Sequence, residues 1–200
     1  MPIVKDTQVG DVRVLLWRIT ESDFELRQML DAPSISLPEN AQRRLQRMAV
    51  LCILKYCNLP IPYSYDRDGR PEIPNGPHIS ISHTRRYAAV ALSASRAVGI
   101  DIEQSDRNFQ RVAPKYLSHS EQEQMLEQEC MAATWCVKEA LYKLPWPLPL
   151  VLSRDVEVDI APSAFNQGYT HATVSCNGVK TQLRLELERI DEHILAWTKM

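Results

Sequence analysis

Apolar residues recur along this 200-residue chain in two periods, and the changes from one to the other outline its elements. Residues 9–18 alternate and predict a first strand, whereas 20–30 have helical spacing, with Thr20 as N-cap and Asp23 three residues on. Ser36-Leu37-Pro38-Glu39 predicts a second cap. The helix it opens runs to about Cys57, with Leu45, Met48, Ala49, Leu51, Cys52 and Leu54 at helical spacing, and the prolines Pro60 and Pro62 close it. Residues 63–74 read as an extended hairpin turning at Asp68-Gly69. Two strands flank the polar turn Ser82-His83-Thr84, and 99–103 form another. Residues 106–116 are helical or irregular. A capping box at Ser118-His119-Ser120-Glu121 then opens a long helix to Leu144, which Pro145, Pro147 and Pro149 end. Residues 151–160, 172–176, 181–190 and 194–199 read as strands.

Helices and strands occur in groups and do not alternate, so the class is α+β, without a dinucleotide fingerprint or a P-loop. Each half of the chain has a helix preceding a group of strands, but no internal repeat is visible, so the pattern alone does not establish a two-half architecture. With 44% hydrophobic residues the chain has material for a real core. Its formal net charge of −2 argues against nucleic acid as a partner. Basic residues gather only locally, at Arg43, Arg44 and Arg47 and at Arg85 and Arg86. Charges at Lys5, Asp6, Asp11 and Arg13 interrupt any secretory leader, and no apolar run is long enough to span a bilayer. Five cysteines without C-x-x-C spacing, four of them in helical patterns, read as reduced structural residues of a cytoplasmic protein.

Two stretches carry the chemistry. In Gly99-Ile100-Asp101-Ile102-Glu103, period-two alternation puts Asp101 and Glu103 on one face and the two isoleucines on the other. In residues 135–143, Glu139 and Lys143 are four apart and share a helix face. Three carboxylates with a lysine one turn on suit a hard divalent cation and a phosphate. The Ser82-His83-Thr84 turn adds hydroxyls, an imidazole and backbone N–H groups suited to an anion.

The order of these motifs resembles the 4′-phosphopantetheinyl transferases, specifically the longer single-chain kind that acts on surfactin-type synthetases. The likeness spans residues 38–143. Asp68-Gly69-Arg70-Pro71 looks like the family's Gly-Lys-Pro turn, and Ile81-Ser82-His83-Thr84 is similar to its Ile-Ser-His-Ser. Gly99-Ile100-Asp101-Ile102-Glu103 matches Gly-Ile-Asp-Ile-Glu. Tyr116-Leu117-Ser118-His119-Ser120-Glu121 resembles Phe-Phe-Ser-x-x-Glu, and residues 135–143 follow Trp-x-x-Lys-Glu-x-x-x-Lys.

The resemblance implies two similar α+β halves, 1–104 and 105–200, packed tightly as one unit with the active site between them, and Mg²⁺-dependent transfer of 4′-phosphopantetheine from coenzyme A to a serine of an acyl or peptidyl carrier protein by a monomer. It implies Asp101, Glu103 and Glu139 as ligands of Mg²⁺, for which Mn²⁺ also suits. Arg44, Arg70, Ser82, His83 and Lys143 would hold the coenzyme's phosphates, arginine replacing a family lysine at Arg70. Glu139, or Glu121 through water, would take the serine proton; Glu121 is equally explained as a helix cap. Lys138 reads as structural, and Trp135 and Leu141 as core. The chain departs from the family pattern at Leu144-Pro145-Trp146-Pro147-Leu148-Pro149, which replaces a glycine-containing segment. It also lacks paired lysines near its start, where Arg27 is the candidate substitute. The competing readings are an inactive carrier-binding scaffold on the same fold and a Mg²⁺-dependent phosphohydrolase, which leaves His83 and Arg70 without a purpose.

Overall fold

The computed structural model of the chain describes residues 2–124, 127–160 and 163–199. They divide into two units, residues 1–97 and 98–200. The first holds β1 (Ile3–Val9), β2 (Val12–Arg18), α1 (Asp23–Leu30), α2 (Ala41–Tyr56), β3 (Ser64–Tyr65), β4 (Pro71–Glu72), β5 (His78–His83) and β6 (Tyr87–Ser93). The second holds β7 (Ile100–Gln104), α3 (Ala113–Tyr116), α4 (His119–Gln124), α5 (Gln128–Tyr142), α6 (Leu152–Asp155), β8 (Val156–Asp159), α7 (Ser163–Gln167), β9 (Tyr169–Cys176), β10 (Val179–Ile190) and β11 (His193–Lys199).

In the first unit an antiparallel sheet of order β1-β2-β6-β5 packs against α2. The helix buries Met48 to Leu54 against Leu15, Trp17, Val90 and Leu92, while β6 is buried along its whole length. Continuous burial suits a central strand, and Tyr87 to Leu92 is an apolar run to match. α1 starts at Ser22, where the Ser22 and Glu25 side chains close a reciprocal capping box, two residues later than Thr20. α2 starts at Asn40, whose side chain accepts from the Arg43 N–H, so the Ser36 cap is not used.

In the second unit the sheet order is β7-β11-β10-β9-β8, antiparallel throughout, with α5 packed on β7 and β11. The expected division after residue 104 put β7 with the first half. Its hydrogen-bonded partner is β11, with Asp101 opposite Ala196 and Glu103 opposite Ile194, which ties it to the second. Alternation shows which face a strand buries but not which strand it joins. The single helix expected from Ser118 to Leu144 is two. Glu127 is extended and caps α5, whose cap carries no side-chain hydrogen bond; residues 125 and 126 lie outside the described ones. The Glu- and Gln-rich stretch has high helix propensity, which hides this break from a periodic reading. Residues 152–155, read as strand, form the short helix α6.

Candidate functional site

Gly99 opens β7 and brings it close to α5. Its N–H donates to Thr198 Oγ1 at 2.9 Å, and a Cβ in its place would stand 1.9 Å from the Ala140 carbonyl oxygen. The carboxylate face of β7 is therefore the face that α5 covers. Asp101 is 5% exposed and Glu103 half-buried, so these side chains meet a helix instead of projecting into solvent.

Trp135, Glu139 and Lys143 recur at four-residue intervals along α5 and form one stripe. Lys143, the α5 C-cap, donates from Nζ to Asp101 Oδ1 at 2.9 Å and to the Ile100 carbonyl at 2.7 Å. At the other end of the stripe, Trp135 Nε1–H donates to Glu103 Oε1 at 3.2 Å. Arg107 Nη1 reaches the same oxygen at 2.8 Å. Cys136, fully buried, donates to the Ile194 carbonyl and lies against Asp101; burial pushes its thiol well above the usual range.

Burial, reinforced by the charge of Asp101, raises the Glu103 carboxyl above the usual range, and Arg107 and Trp135 offset part of this. Burial likewise raises Glu139; Asp101 and Glu103 add to the rise, while Lys143 and Arg107 oppose it. The three carboxylates thus feel one another. As placed they do not converge: among the described residues no group of three or more His, Cys, Asp or Glu side chains gathers around one metal position. Asp101 turns to Lys143 and Glu103 to Arg107, because adjacent carboxylates lower their repulsion by each taking the nearest cation. The donor set itself fits a hard divalent cation: anionic oxygens on two elements, partly buried.

Glu121 lies outside this stripe. Its carboxylate accepts from the Ser118 N–H at 2.7 Å and the Val158 N–H at 2.9 Å, and pairs with Lys138 at 2.6 Å. The Lys138 side chain has no exposed surface; Nζ also meets the carbonyls of Tyr116 at 2.7 Å, Val156 at 2.6 Å and Leu152 at 3.2 Å. This pair joins the α4 cap, α5 and β8 from inside. The structural reading of Lys138 matches this arrangement.

The remaining candidates lie in the first unit. Ser82 is buried on β5 opposite Ala89, and His83 is exposed at the strand end. The Thr84 hydroxyl accepts from the N–H groups of Arg86 at 3.3 Å and Tyr87 at 3.2 Å, so it closes its own turn and is not directed outward to an anion. Arg44 pairs with Asp23 and donates to the carbonyls of Pro38 at 3.1 Å and Glu39 at 2.7 Å. Arg70 pairs with Asp68 at 2.6 Å within a loop that Asp66 folds by accepting the N–H groups of Asp68 and Arg70. Arg27 pairs with Asp23.

Sequence reasoning passed over the two donors on Glu103. Trp135 reads as core from its place in the helix, and the sequence gives Arg107 no expected role. The signal for Arg107 was its spacing of four from Glu103, which a tight turn converts into a contact.

Among the described residues no helix is long and apolar enough to cross a membrane. Residues 97–196, half of the chain, match the family model of the 4′-phosphopantetheinyl transferase superfamily. Compared with curated proteins, the chain has no match.

Proposed function

Because this chain belongs to the 4′-phosphopantetheinyl transferase superfamily, we propose that it moves the 4′-phosphopantetheine group of coenzyme A onto a serine of an apo acyl or peptidyl carrier protein. Adenosine 3′,5′-bisphosphate leaves. The observation that carries this reading is the stripe on α5, which sets Glu139 and Lys143 against the two carboxylates of β7. We further propose the surfactin-type, single-chain form of the family, acting as a cytoplasmic monomer; the motif order outside the matched segment supports this.

The reaction joins the serine oxygen to the β-phosphorus of coenzyme A and breaks the bond from that phosphorus to the bridging oxygen, so it depends on positioning and on charge at the leaving oxygen. Asp101, Glu103 and Glu139 are the residues that would hold Mg²⁺. Bound there, the ion would neutralise pyrophosphate charge as a Lewis acid. Lys143 would donate to a pyrophosphate oxygen, exchanging its bond to Asp101 for one to phosphate. Glu139 is the preferred acceptor of the serine proton, because it stands on the α5 stripe with Lys143, facing the β7 carboxylates. Glu121 is the weaker choice, since its carboxylate already serves two backbone N–H groups and Lys138. Arg44, Arg70, Ser82 and His83 are proposed as ligands of the coenzyme's phosphates on the strength of the motifs; at Arg44 and Arg70 a phosphate must displace an aspartate.

The test is intact-mass measurement of apo carrier proteins incubated with this protein, coenzyme A and Mg²⁺, with and without EDTA. A metal-dependent gain of one phosphopantetheine group is expected. No gain on several acyl and peptidyl carriers, from folded protein that binds coenzyme A, would leave a carrier-binding scaffold as the function.

A further inference from the structure

Residues 104–109 form a tight turn after β7. The Arg107 N–H donates to the Gln104 carbonyl at 3.3 Å, the Phe109 N–H to the Arg107 carbonyl at 2.7 Å, and Gln128 Nε2 to that same carbonyl at 2.6 Å. Pinned to α5 in this way, the turn sends the Arg107 side chain back along its own strand to Glu103. The guanidinium lies 5.6 Å from the ring centroids of both Phe109 and Trp135. Its position is defined on three sides although half of the side chain is exposed.

Glu103 Oε1 accepts from Arg107 and Trp135 together. A carboxylate oxygen has two lone-pair directions, so Oε1, holding two N–H groups, has none left for a cation, which must use Oε2 or displace a donor. A positive charge this close to a divalent cation also opposes it directly.

We propose that Arg107 is an internal counter-cation of this acidic face: it competes with the divalent cation for Glu103 and yields when coenzyme A supplies a pyrophosphate for its guanidinium. This rests on the transferase reading above. The planar fork of an arginine pairs with phosphate as readily as with carboxylate. The group that opposes the metal alone therefore favours the metal together with the pyrophosphate. Metal and coenzyme A then bind cooperatively, and by linkage each strengthens the other equally. Arg107 is a positioning residue here and takes no part in bond breaking.

The experiment titrates Mn²⁺ into the full chain and reads free Mn²⁺ by electron paramagnetic resonance, with and without coenzyme A, for the wild type, Arg107→Gln, Arg107→Lys and Glu139→Ala. Arg107→Gln should bind Mn²⁺ alone about tenfold more tightly than the wild type, and coenzyme A should then enhance Mn²⁺ affinity less. Arg107→Lys, which keeps the charge without the fork, should fall between the two. An Arg107→Gln affinity for Mn²⁺ alone equal to or weaker than wild type overturns the proposal, because Arg107 would then be a bystander or an orienting donor. If the wild type binds no Mn²⁺ even with coenzyme A, or Glu139→Ala binds it equally well, the metal reading of these carboxylates fails, and the proposal with it.

Discussion

Gly99 offers the sharpest test of the site's construction. Replacing it with alanine adds one carbon, 1.9 Å from the Ala140 carbonyl oxygen and 2.8 Å from its carbon, where real Cβ atoms stay beyond 3.0 Å. Both obstacles are backbone, so no side chain can swing aside, and β7 must recede from α5 by about 1 Å. Overpacking of this kind costs about 1–3 kcal/mol, and a backbone obstacle places Gly99→Ala at the upper end, about 3 kcal/mol. The functional loss should be larger than the stability loss suggests. Asp101 and Glu103 sit on the strand that recedes and Glu139 on the helix that stays, and about 1 Å of misplacement can reduce a rate about 100-fold. Urea unfolding monitored by circular dichroism gives the first quantity, and intact-mass time courses of carrier modification give the second. A Gly99→Ala protein with wild-type stability and wild-type rate would refute the close approach of strand and helix from which the site is built.

Lys138→Met should destabilise the second unit by about 3–5 kcal/mol in thermal unfolding, because it leaves the Glu121 carboxylate buried and uncompensated; a loss below about 1 kcal/mol would show that the pair is not buried in solution. Glu139→Gln should lose transfer yet be more stable than the wild type at pH 7 in EDTA. The folded chain raises this carboxyl above 4.5, so the protonated form contributes stability that is complete below that pH and lost as pH rises through the raised value; the amide has no such loss. A Glu139→Gln midpoint in urea below that of the wild type would contradict this sign. Reversing the exposed Arg85 and Arg86 to glutamate should raise the apparent KM for an acidic carrier roughly tenfold at low salt, an effect that added salt should erase. Unchanged kinetics at low salt would remove both from the carrier surface.

Much of the site was legible because its motifs are short and local. Alternation put Asp101 and Glu103 on one face of a strand, helical spacing put Glu139 and Lys143 on one face of a helix, and the structure shows both elements. The burial of Asp101 was not legible, since nothing in residues 99–103 says that α5 covers that face. Nor was the bond from Trp135 to Glu103, because an indole in a helix reads first as apolar volume. The partner of β7 depended on β11, some ninety residues away, beyond the range of any periodic pattern. The helix starts were misplaced for a different reason: Ser22-Asp23-Phe24-Glu25 is itself a capping-box pattern, and Thr20, with an acidic residue at the same spacing, competed with it.

Lys138 and Glu139 are neighbours in sequence with opposite surroundings, one sealed among carbonyl oxygens and the other half-open beside Asp101. Successive residues on a helix point about 100° apart. Inserting or deleting one residue early in α5 would turn the Trp135–Glu139–Lys143 stripe off β7 and, in the same motion, pull an ammonium from its only sheltered place. The buried lysine therefore acts as a reading-frame check on the helix. A chain whose helix is out of phase loses the buried Lys138–Glu121 pair together with the stripe, so it is destabilised instead of folding with its reactive groups displaced.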